Sequence, residues 1–496
     1  MSEPKPQSRN EYLKARYGEA YKWTAGGAVV LGLLTTIFSS TMVNVALTDV
    51  MATFDVTQGS AQWLSTGFLC ASSVAMLTTA WLVSQFGARA TFLIAIAVFI
   101  VGSLLGWQSY NFGFLVFSRL LQGAGAGILQ PLSMSLIFSL FPAEMRGRAM
   151  GMFGMGVVIG PAVGPIIGGV ITDSMDWHTT FFVVIPLALV AGGLGFLFLP
   201  NRTGERDRVK FNYISFALVG LSVACLLTAF TNTQFKPVTS LDVYPFFFIA
   251  IVGFILFFIR DLKSQAPLVQ LRLFKNMKFT SSVAIGVLTS AGMFSSFYMI
   301  PLFARTVQNA SATDAGMLLL PAGLTLVVTF PIVGRLIDMM PAHRLIIFGS
   351  VVFIISTIAI SYSDQATTYV YLSILIICGR VGLGFIMPSY STFGLSAVSP
   401  KRVTQASGAL NFVRMLGGSM GVNLTAILIT AENEKYALEL AGKSIDQLGE
   451  AEHLAVMTHT FHDVFQTTAF VFALVFIPTI YMLISHRREK SQAIAS

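Results

Sequence analysis

Three arginines lie inside long apolar runs of the sequence, and they are the first residues whose type suggests chemistry. They are Arg119, Arg380 and Arg414. The runs are as long as membrane spans, and a charge within a span faces the bundle interior or a wet cavity because facing lipid is expensive. A guanidinium that lines a cavity favours an anionic or neutral ligand over a cation. The alternative, clearest for Arg414, is a role in helix packing or in a gate.

The 23 carboxylates are placed differently, because none lies well inside an apolar run. Proton coupling requires a group that titrates while it is exposed to each side in turn, and intramembrane acids usually do this work. Two alternatives stay open for Asp49 and Asp173: they couple protons, or they are solvated caps of helix ends. The carboxylates nearest to the apolar interior are Asp49, Asp173, Asp314, Asp338 and Asp463.

Glycine and proline recur in the apolar run 148–172 with the spacing G-x8-G-x3-GP-x2-GG. Glycines on one helical face permit close contact with another helix. A proline removes a backbone donor and bends the helix. A bent, tightly packed helix with a purely structural role is the alternative to a functional signature. The residues are Gly151, Gly160, Gly164, Pro165, Gly168 and Gly169.

This spacing resembles the antiporter signature of the major facilitator superfamily. Further segments resemble motifs of its fourteen-span drug:proton antiporter branch, and together they cover nearly the whole chain. They are Thr41 to Leu47 in the first span, Arg119-x-x-Gln122-Gly123-x-Gly125 in the fourth, Phe141-Pro142 to Ala149 in the following loop, Pro267-Leu268 to Leu273-Phe274 before the ninth span, and Arg414-x-x-Gly417-Gly418-x-x-Gly421 in the thirteenth.

The resemblance implies a multidrug efflux transporter that needs no cofactor and uses an ion gradient, here the proton gradient, through rocking of two halves. It implies a structural or proton-relay role for Arg119. Relatives in double-membrane bacteria often pair with a periplasmic adaptor, so an adaptor is a candidate partner. By family position, the contributors to the substrate cavity are Phe38, Asn44, Gln62, Trp63, Tyr298, Asn411 and Arg414.

Two positions depart from the family pattern. Ser39 stands where the first-span motif carries an aspartate, two residues before Thr41. The turn between the second and third spans lacks its aspartate as well, whereas the copy of this turn in the second half keeps Asp338. In the family this turn helps to hold the cytoplasmic gate, so the charged role is carried over only to Asp338.

The composition indicates that the solvent facing most of the protein is lipid. The chain is 54% hydrophobic and 11% charged, whereas a soluble domain is roughly 45–50% apolar and about 25% charged. The apolar runs have the roughly 20 residues that a helix needs to cross hydrocarbon, and they are too long for barrel strands. The sequence therefore predicts an all-α membrane protein with fourteen spans: 24–48, 61–83, 90–108, 112–133, 148–172, 178–199, 211–231, 242–260, 279–303, 315–337, 344–362, 367–393, 404–430 and 464–485.

The basic residues predict the orientation. Most of the 31 Lys and Arg fall in segments that would be cytoplasmic if both termini lie inside the cell, as the positive-inside rule requires. The net charge of +8 then reflects topology and anionic lipid, and not a nucleic acid partner. The basic start of the chain and the length of the first span argue against a cleaved signal peptide.

A faint internal repeat predicts the domain organisation. Gly125-x-Gly127-x-x-x-Pro131 recurs 257 residues later as Gly382-x-Gly384-x-x-x-Pro388. Such a spacing favours two parallel six-helix halves with substrate bound between them near the membrane midplane. The predicted domains are a cytoplasmic N-terminal segment (1–23), a six-helix bundle (24–199), an inserted two-helix segment with cytoplasmic linkers (200–278), a second six-helix bundle (279–485) with an exterior loop (431–463), and a cytoplasmic tail (486–496).

No enzyme motif is present in the sequence. The tail-side stretch that ends in Lys443-Ser444 lacks the first glycine of a phosphate-binding loop. The cysteines Cys70, Cys225 and Cys378 stand alone and offer no metal-ligand spacing. The prediction is a transporter of the bacterial plasma (inner) membrane that exports amphipathic organic compounds. We expect it to bind neither a metal nor nucleic acid. The alternatives are a dedicated exporter of an anionic metabolite such as a fatty acid or siderophore, and a membrane receptor that does not transport.

Overall fold

The computed structural model describes residues 9–201, 210–233, 236 and 239–495. This part of the chain is helical and contains no β-strand. Helices follow from the solvent, because backbone groups in hydrocarbon must be satisfied within their own segment. Within the described ranges, fourteen helical segments are long and apolar enough to cross a membrane, which confirms the predicted fold class. Residues 1–8 and 202–209, parts of two predicted cytoplasmic segments, lie outside the described residues.

The first part of the chain supplies six of the fourteen spans. Short helices α1, α3, α4 and α9 precede or follow longer ones, and a 3₁₀ turn at Ala143–Met145 leads into α8. The helices are α1 (Arg9–Tyr17), α2 (Ala20–Val45), α3 (Leu47–Phe54), α4 (Gln58–Ala61), α5 (Trp63–Phe86), α6 (Ala88–Trp107), α7 (Phe112–Leu140), α8 (Arg146–Ser174), α9 (Thr179–Phe182) and α10 (Val184–Phe198).

The remaining eight spans follow, with 3₁₀ turns at Leu271–Lys275, Pro400–Arg402 and Ile445–Gln447. The helices are α11 (Tyr213–Asn232), α12 (Tyr244–Lys263), α13 (Met277–Thr306), α14 (Ala312–Met317), α15 (Leu319–Met339), α16 (Ala342–Ser361), α17 (Tyr369–Ser396), α18 (Val403–Ala441), α19 (Glu450–Ala473) and α20 (Phe476–Ala495).

The described residues divide into two compact units. In the first unit α7 packs on α5 and α6, and α2 packs on α8 and α10. In the second unit α17 packs on α13, α15 and α16. The inserted helix α12 belongs to the first unit. That unit comprises the described residues of Met1–Thr231, Thr239–Leu273 and Val398–Phe412, and the other those of Asn232–Val238, Phe274–Ala397 and Val413–Ser496.

The internal repeat places equivalent glycines at equivalent helix contacts. A Cβ atom at Gly125 would lie 2.7 Å from the carbonyl oxygen of Ala95, so α7 approaches α6 closely. A Cβ atom at Gly382 would lie 2.5 Å from the carbonyl oxygen of Gly349, so α17 approaches α16 in the same way. Each unit therefore contains an equivalent, tightly packed helix pair. At Gly125 and Gly382 no side chain keeps the two backbones apart.

Helix α18 continues past the predicted span end at residue 430 as far as Ala441. The added residues are mostly strong helix formers, and Lys435 Nζ lies 2.8 Å from Glu432 Oε2. The helix stops where Gly442 adopts φ +64°, a left-handed cap that its missing Cβ permits. The segment 431–463, predicted as an exterior loop, is therefore mostly helical, and the Tyr436 hydroxyl donates to Asp463 Oδ2 at 2.5 Å across α18 and α19.

Candidate functional site

The glycines of α8 form its contact with α2. A Cβ atom at Gly160 would overlap the side chain of Ile37, and one at Gly164 would overlap the hydroxyl of Thr41. The Thr41 hydroxyl donates to the carbonyl oxygen of Gly160 at 3.2 Å. Glycine at every fourth position leaves one helical face bare, so the two backbones meet directly. Any larger side chain on this face would push α8 away from α2.

The other residues of this motif differ in how closely they approach α2. A Cβ atom at Gly168 would lie 3.0 Å from the Cα of Met42, whereas one at Gly169 would meet Val45 only at 3.9 Å. Gly151 is buried in the first half of α8. Pro165 lies inside the helix on an exposed side, where it removes a backbone donor. Gly168 therefore shares the close contact with α2, whereas Pro165 lies on an exposed side of α8.

Arg119 is fully buried and joins three helices of the first unit. Its Nε donates to the carbonyl oxygen of Leu64 on α5 at 3.0 Å. Its Nη1 donates to Gln122 Oε1 at 2.7 Å and lies 3.4 Å from both the carbonyl and the hydroxyl oxygen of Ser39 on α2. The ring of Phe68 covers the guanidinium at 4.5 Å. The positive charge is therefore held by dipoles and one aromatic face.

Ser39 occupies the place where a carboxylate would face this guanidinium. Its side chain is completely buried. Gln122 extends the network, because its Nε2 donates to Ser103 Oγ on α6 at 2.8 Å. Among the described residues Arg119 has no ion-pair partner, and its Nη2 has no hydrogen-bond acceptor. A serine in this position leaves the buried charge without a counter-charge from the chain.

The second unit contains a related pair that the sequence analysis did not recognise. Arg380 on α17 is 2% exposed, and its Nη1 donates to the hydroxyl of Ser296 on α13 at 2.9 Å. Ser296 follows Ser39 by 257 residues, the spacing of the internal repeat. Arg380 lies one helical turn beyond the position equivalent to Arg119. That repeat spacing, applied to Ser39, is the signal that could have pointed to Ser296.

A family model described as the Major Facilitator Superfamily matches residues 29–422. The chain belongs to the major facilitator superfamily. Its fourteen candidate spans agree with the fourteen-span branch that the motifs indicated.

Known transporters of this superfamily resemble the chain over most of its length. The lincomycin resistance protein LmrB of Listeria innocua is 27% identical over 412 residues, which cover 83% of this chain and 87% of that protein. The multidrug export protein EmrB of Haemophilus influenzae is 28% identical over 414 residues, 81% of each chain. The crystal structure of the human organic anion transporter MFSD10 (TETRAN) has a TM-score of 0.63 at 14% identity and covers 92% of this chain and 99% of its own. That structure shows the shared fold.

Four substrate-cavity candidates of the transporter lie in α2 and at the start of α5. Asn44, near the end of α2, is exposed and accepts a hydrogen bond from Ser65 Oγ at 2.6 Å. Trp63, the first residue of α5, is exposed, and the preceding Gln62 is half-buried. Phe38 is half-buried on α2. The Asn44–Ser65 hydrogen bond joins the end of α2 to the start of α5. Asn44, Gln62 and Trp63 lie at these two helix ends.

The other three candidates lie elsewhere. Asn411 is 2% exposed in the first unit, where its Nδ2 donates to the carbonyl oxygen of Ser407 at 2.9 Å and lies 3.1 Å from Met134 Sδ. Tyr298 and Arg414 belong to the second unit. Arg414 is partly exposed and hydrogen-bonds with the buried Tyr390. Asn411 has a packed environment, and Arg414 has an aromatic partner.

The coupling candidates Asp49, Asp173 and Asp338 lie near helix ends, as the apolar runs predict. Asp49 is half-buried in the first turn of α3, where a carboxylate is stabilised by the helix dipole. Asp173 is exposed in the last turn of α8, and Asp338 is half-buried in the last turn of α15. Among the carboxylates whose burial is described, only Asp261 is buried.

Asp261 has a structural role that sequence reasoning missed. Its two carboxylate oxygens accept the backbone N–H groups of Leu268 and Val269 at 3.0 and 2.9 Å. A carboxylate that accepts two backbone donors fixes the chain between α12 and the following 3₁₀ turn. The motif segment that begins at Pro267 is therefore held in place by a residue that lies outside that motif.

Proposed function

We propose that this transporter exports amphipathic organic compounds across the plasma (inner) membrane of a bacterium by alternating access. The α2–α8 contact carries the proposal, because Gly160, Gly164 and Gly168 of the antiporter signature are the residues that let these helices touch. The relatives named for lincomycin resistance and multidrug export support a drug-like substrate. The basic segments support cytoplasmic termini by the positive-inside rule. A periplasmic adaptor remains a candidate partner.

The proposed driving force is the proton gradient, without a cofactor. Ser39 cannot titrate in place of the family aspartate, so the proton must bind elsewhere. Asp49 is the stronger of the two end-of-span candidates because it is half-buried, whereas Asp173 is exposed. Asp338 lies in the turn whose family role is the cytoplasmic gate, and we assign it that role.

Inverted membrane vesicles with an imposed proton gradient test export and coupling together. Decyltrimethylammonium and decanesulfonate form a matched pair, since both stay charged and carry the same apolar chain. We expect one of them to collapse the gradient in vesicles that contain the transporter. The collapse should be lost in Arg119→Ala and absent from vesicles without the transporter. Failure of both compounds to change the gradient, with the protein present and folded, would contradict proton-coupled export.

A second candidate function is the export of an anionic metabolite. The specific observation is that both buried guanidiniums, Arg119 and Arg380, lack a carboxylate partner among the described residues. Buried positive charge stabilises an anion and disfavours a lipophilic cation. Collapse of the gradient by decanesulfonate alone favours this function, whereas collapse by decyltrimethylammonium favours broad drug export.

A further inference from the structure

Arg380 presents an unused edge of its guanidinium. Nη1 donates to Ser296 Oγ at 2.9 Å. Nε and Nη2 are buried and have no hydrogen-bond partner among the residues that the structure describes. In a planar guanidinium, Nε–H and one Nη2–H leave the same edge in parallel. This is an edge with which arginine binds a carboxylate through two hydrogen bonds.

Arg119 lacks this capacity, although it is equally buried. Its Nε already donates to the carbonyl oxygen of Leu64, and its Nη1 to Gln122. Only Nη2 is without a partner in the described part of the chain. A carboxylate could therefore hydrogen-bond only with Nη2 of Arg119, and not with Nε and Nη2 together. The two arginines are similar in burial and different in the ligand they can accept.

The surroundings of Arg380 suit the head of an amphiphile. The ring of Phe297 lies 4.1 Å from the guanidinium and covers one of its faces. Phe297 is itself partly exposed, so the charge lies one side chain beneath the accessible surface. Met293 precedes Phe297 by four residues and lies on the same face of α13. The Phe297 ring beside the guanidinium, and the Met293 thioether one helical turn away on the same face, provide apolar contact for a chain attached to a charged head.

We propose that the Nε–Nη2 edge of Arg380 binds the carboxylate of an amphipathic organic anion, with Ser296 holding the guanidinium in place. The apolar part of the ligand contacts the Phe297 and Met293 face of α13. The proposal rests on the proposed export function and names its substrate class. A short carboxylate such as acetate has the same head group, and the test below separates it from an amphipathic anion.

The test measures binding to the purified full-length transporter by calorimetry, with decanoate, decanol and acetate as probes. Decanoate should bind more tightly than decanol, which lacks the charge, and more tightly than acetate, which lacks the chain. Arg380→Gln should weaken decanoate binding about 10-fold to 100-fold, the effect of losing charge-assisted hydrogen bonds. Arg380→Lys, which keeps the charge without the paired edge, should restore only part of the affinity.

Arg305→Gln is the matched control. Arg305 is exposed in the last turn of the same helix, so this variant removes one positive charge from α13 without touching the edge. It should bind decanoate as the unmodified protein does. Size-exclusion profiles and thermal midpoints establish that each variant is folded, and the comparison of the three probes on the unmodified protein does not depend on any variant.

Three results would overturn the proposal. They are equal binding of decanoate and decanol, equal binding of decanoate and acetate, and unchanged decanoate binding in a folded Arg380→Gln variant. Failure of the proposed function is recognised separately in the vesicle experiment. If decyltrimethylammonium collapses the gradient while decanoate does not bind, export stands and the carboxylate site is wrong.

Discussion

The positive charges of the two buried arginines, Arg119 and Arg380, are surrounded by different groups. Arg119 is surrounded by a carbonyl, an amide oxygen, a hydroxyl and an aromatic face, and these dipoles spread its charge over three helices. Arg380 has one hydroxyl and one aromatic face. A charged donor that lacks a partner is costly in a dry environment. Arg119 is therefore suited to holding the helices together, and Arg380 to receiving a ligand.

Ser39→Asp is the most informative substitution at this scale. The Ser39 hydroxyl lies 3.4 Å from Arg119 Nη1, so an aspartate here would face the guanidinium and form a buried ion pair. A carboxylate that is alternately paired with Arg119 and protonated adds a titratable group to the interior. We expect the number of protons moved per substrate to rise by about one. The measurement is the gradient collapse per substrate transported in inverted vesicles.

Ser39→Asn is the control for this prediction. Asparagine keeps hydrogen-bonding capacity and has nearly the size of aspartate, but it cannot bind or release a proton. Its proton-to-substrate ratio should equal that of the unmodified transporter. A Ser39→Asp variant that folds and transports with an unchanged ratio would show that this position takes no part in coupling.

At the scale of elements, the contact between α2 and α8 makes the sharpest prediction. Gly164→Ala would drive a methyl group into the Thr41 hydroxyl, so the helices must separate or shift. Overpacking of this kind costs about 1–3 kcal/mol of stability. We expect a lower thermal midpoint and a large loss of transport. Thermal unfolding of the purified protein and vesicle transport are the two measurements.

Gly169→Ala supplies the matched comparison on the same helix. A Cβ atom there meets its nearest neighbour, Val45, only at 3.9 Å, which is ordinary van der Waals contact. Both stability and transport should stay close to those of the unmodified protein. Equal effects of the two substitutions would mean that the bare face of α8 does not determine its contact with α2.

The apolar runs predicted the elements well because a membrane span needs a fixed length of apolar sequence. The far end of α18 could not be found in this way, since residues 431–441 include three glutamates, an asparagine and a lysine. They form helix through propensity and end at the Gly442 cap. The family resemblance marked Ser39 only as the place of a missing aspartate, and the contact of Ser39 with Arg119 was not predicted. The Ser296–Arg380 pair stayed hidden because Arg380 is displaced by one helical turn from its repeat-equivalent position, and sequence spacing does not report which way a helix faces.

For the whole molecule, the charge distribution is the main functional feature. Cationic residues are numerous, and two of them are buried within spans. Among the described carboxylates, the one buried side chain, Asp261, is used by backbone donors near the end of α12. The interior of each unit thus contains a positive charge that no acid of the described chain neutralises. This distribution is the basis of our proposals that the substrate is an anion and that protons bind at the ends of the spans.

The most direct test of ion-gradient-driven export uses purified transporter in proteoliposomes, without ATP or any other protein. Decanesulfonate and decyltrimethylammonium are supplied outside in separate experiments, and accumulation is followed by radiolabel while the lumen is made acidic. We predict that at least one of them accumulates above its outside concentration only while the proton gradient persists, and that this accumulation is lost when a protonophore is added. Equilibration to the outside concentration regardless of the gradient, or no uptake of either this anion or decyltrimethylammonium, would contradict the account.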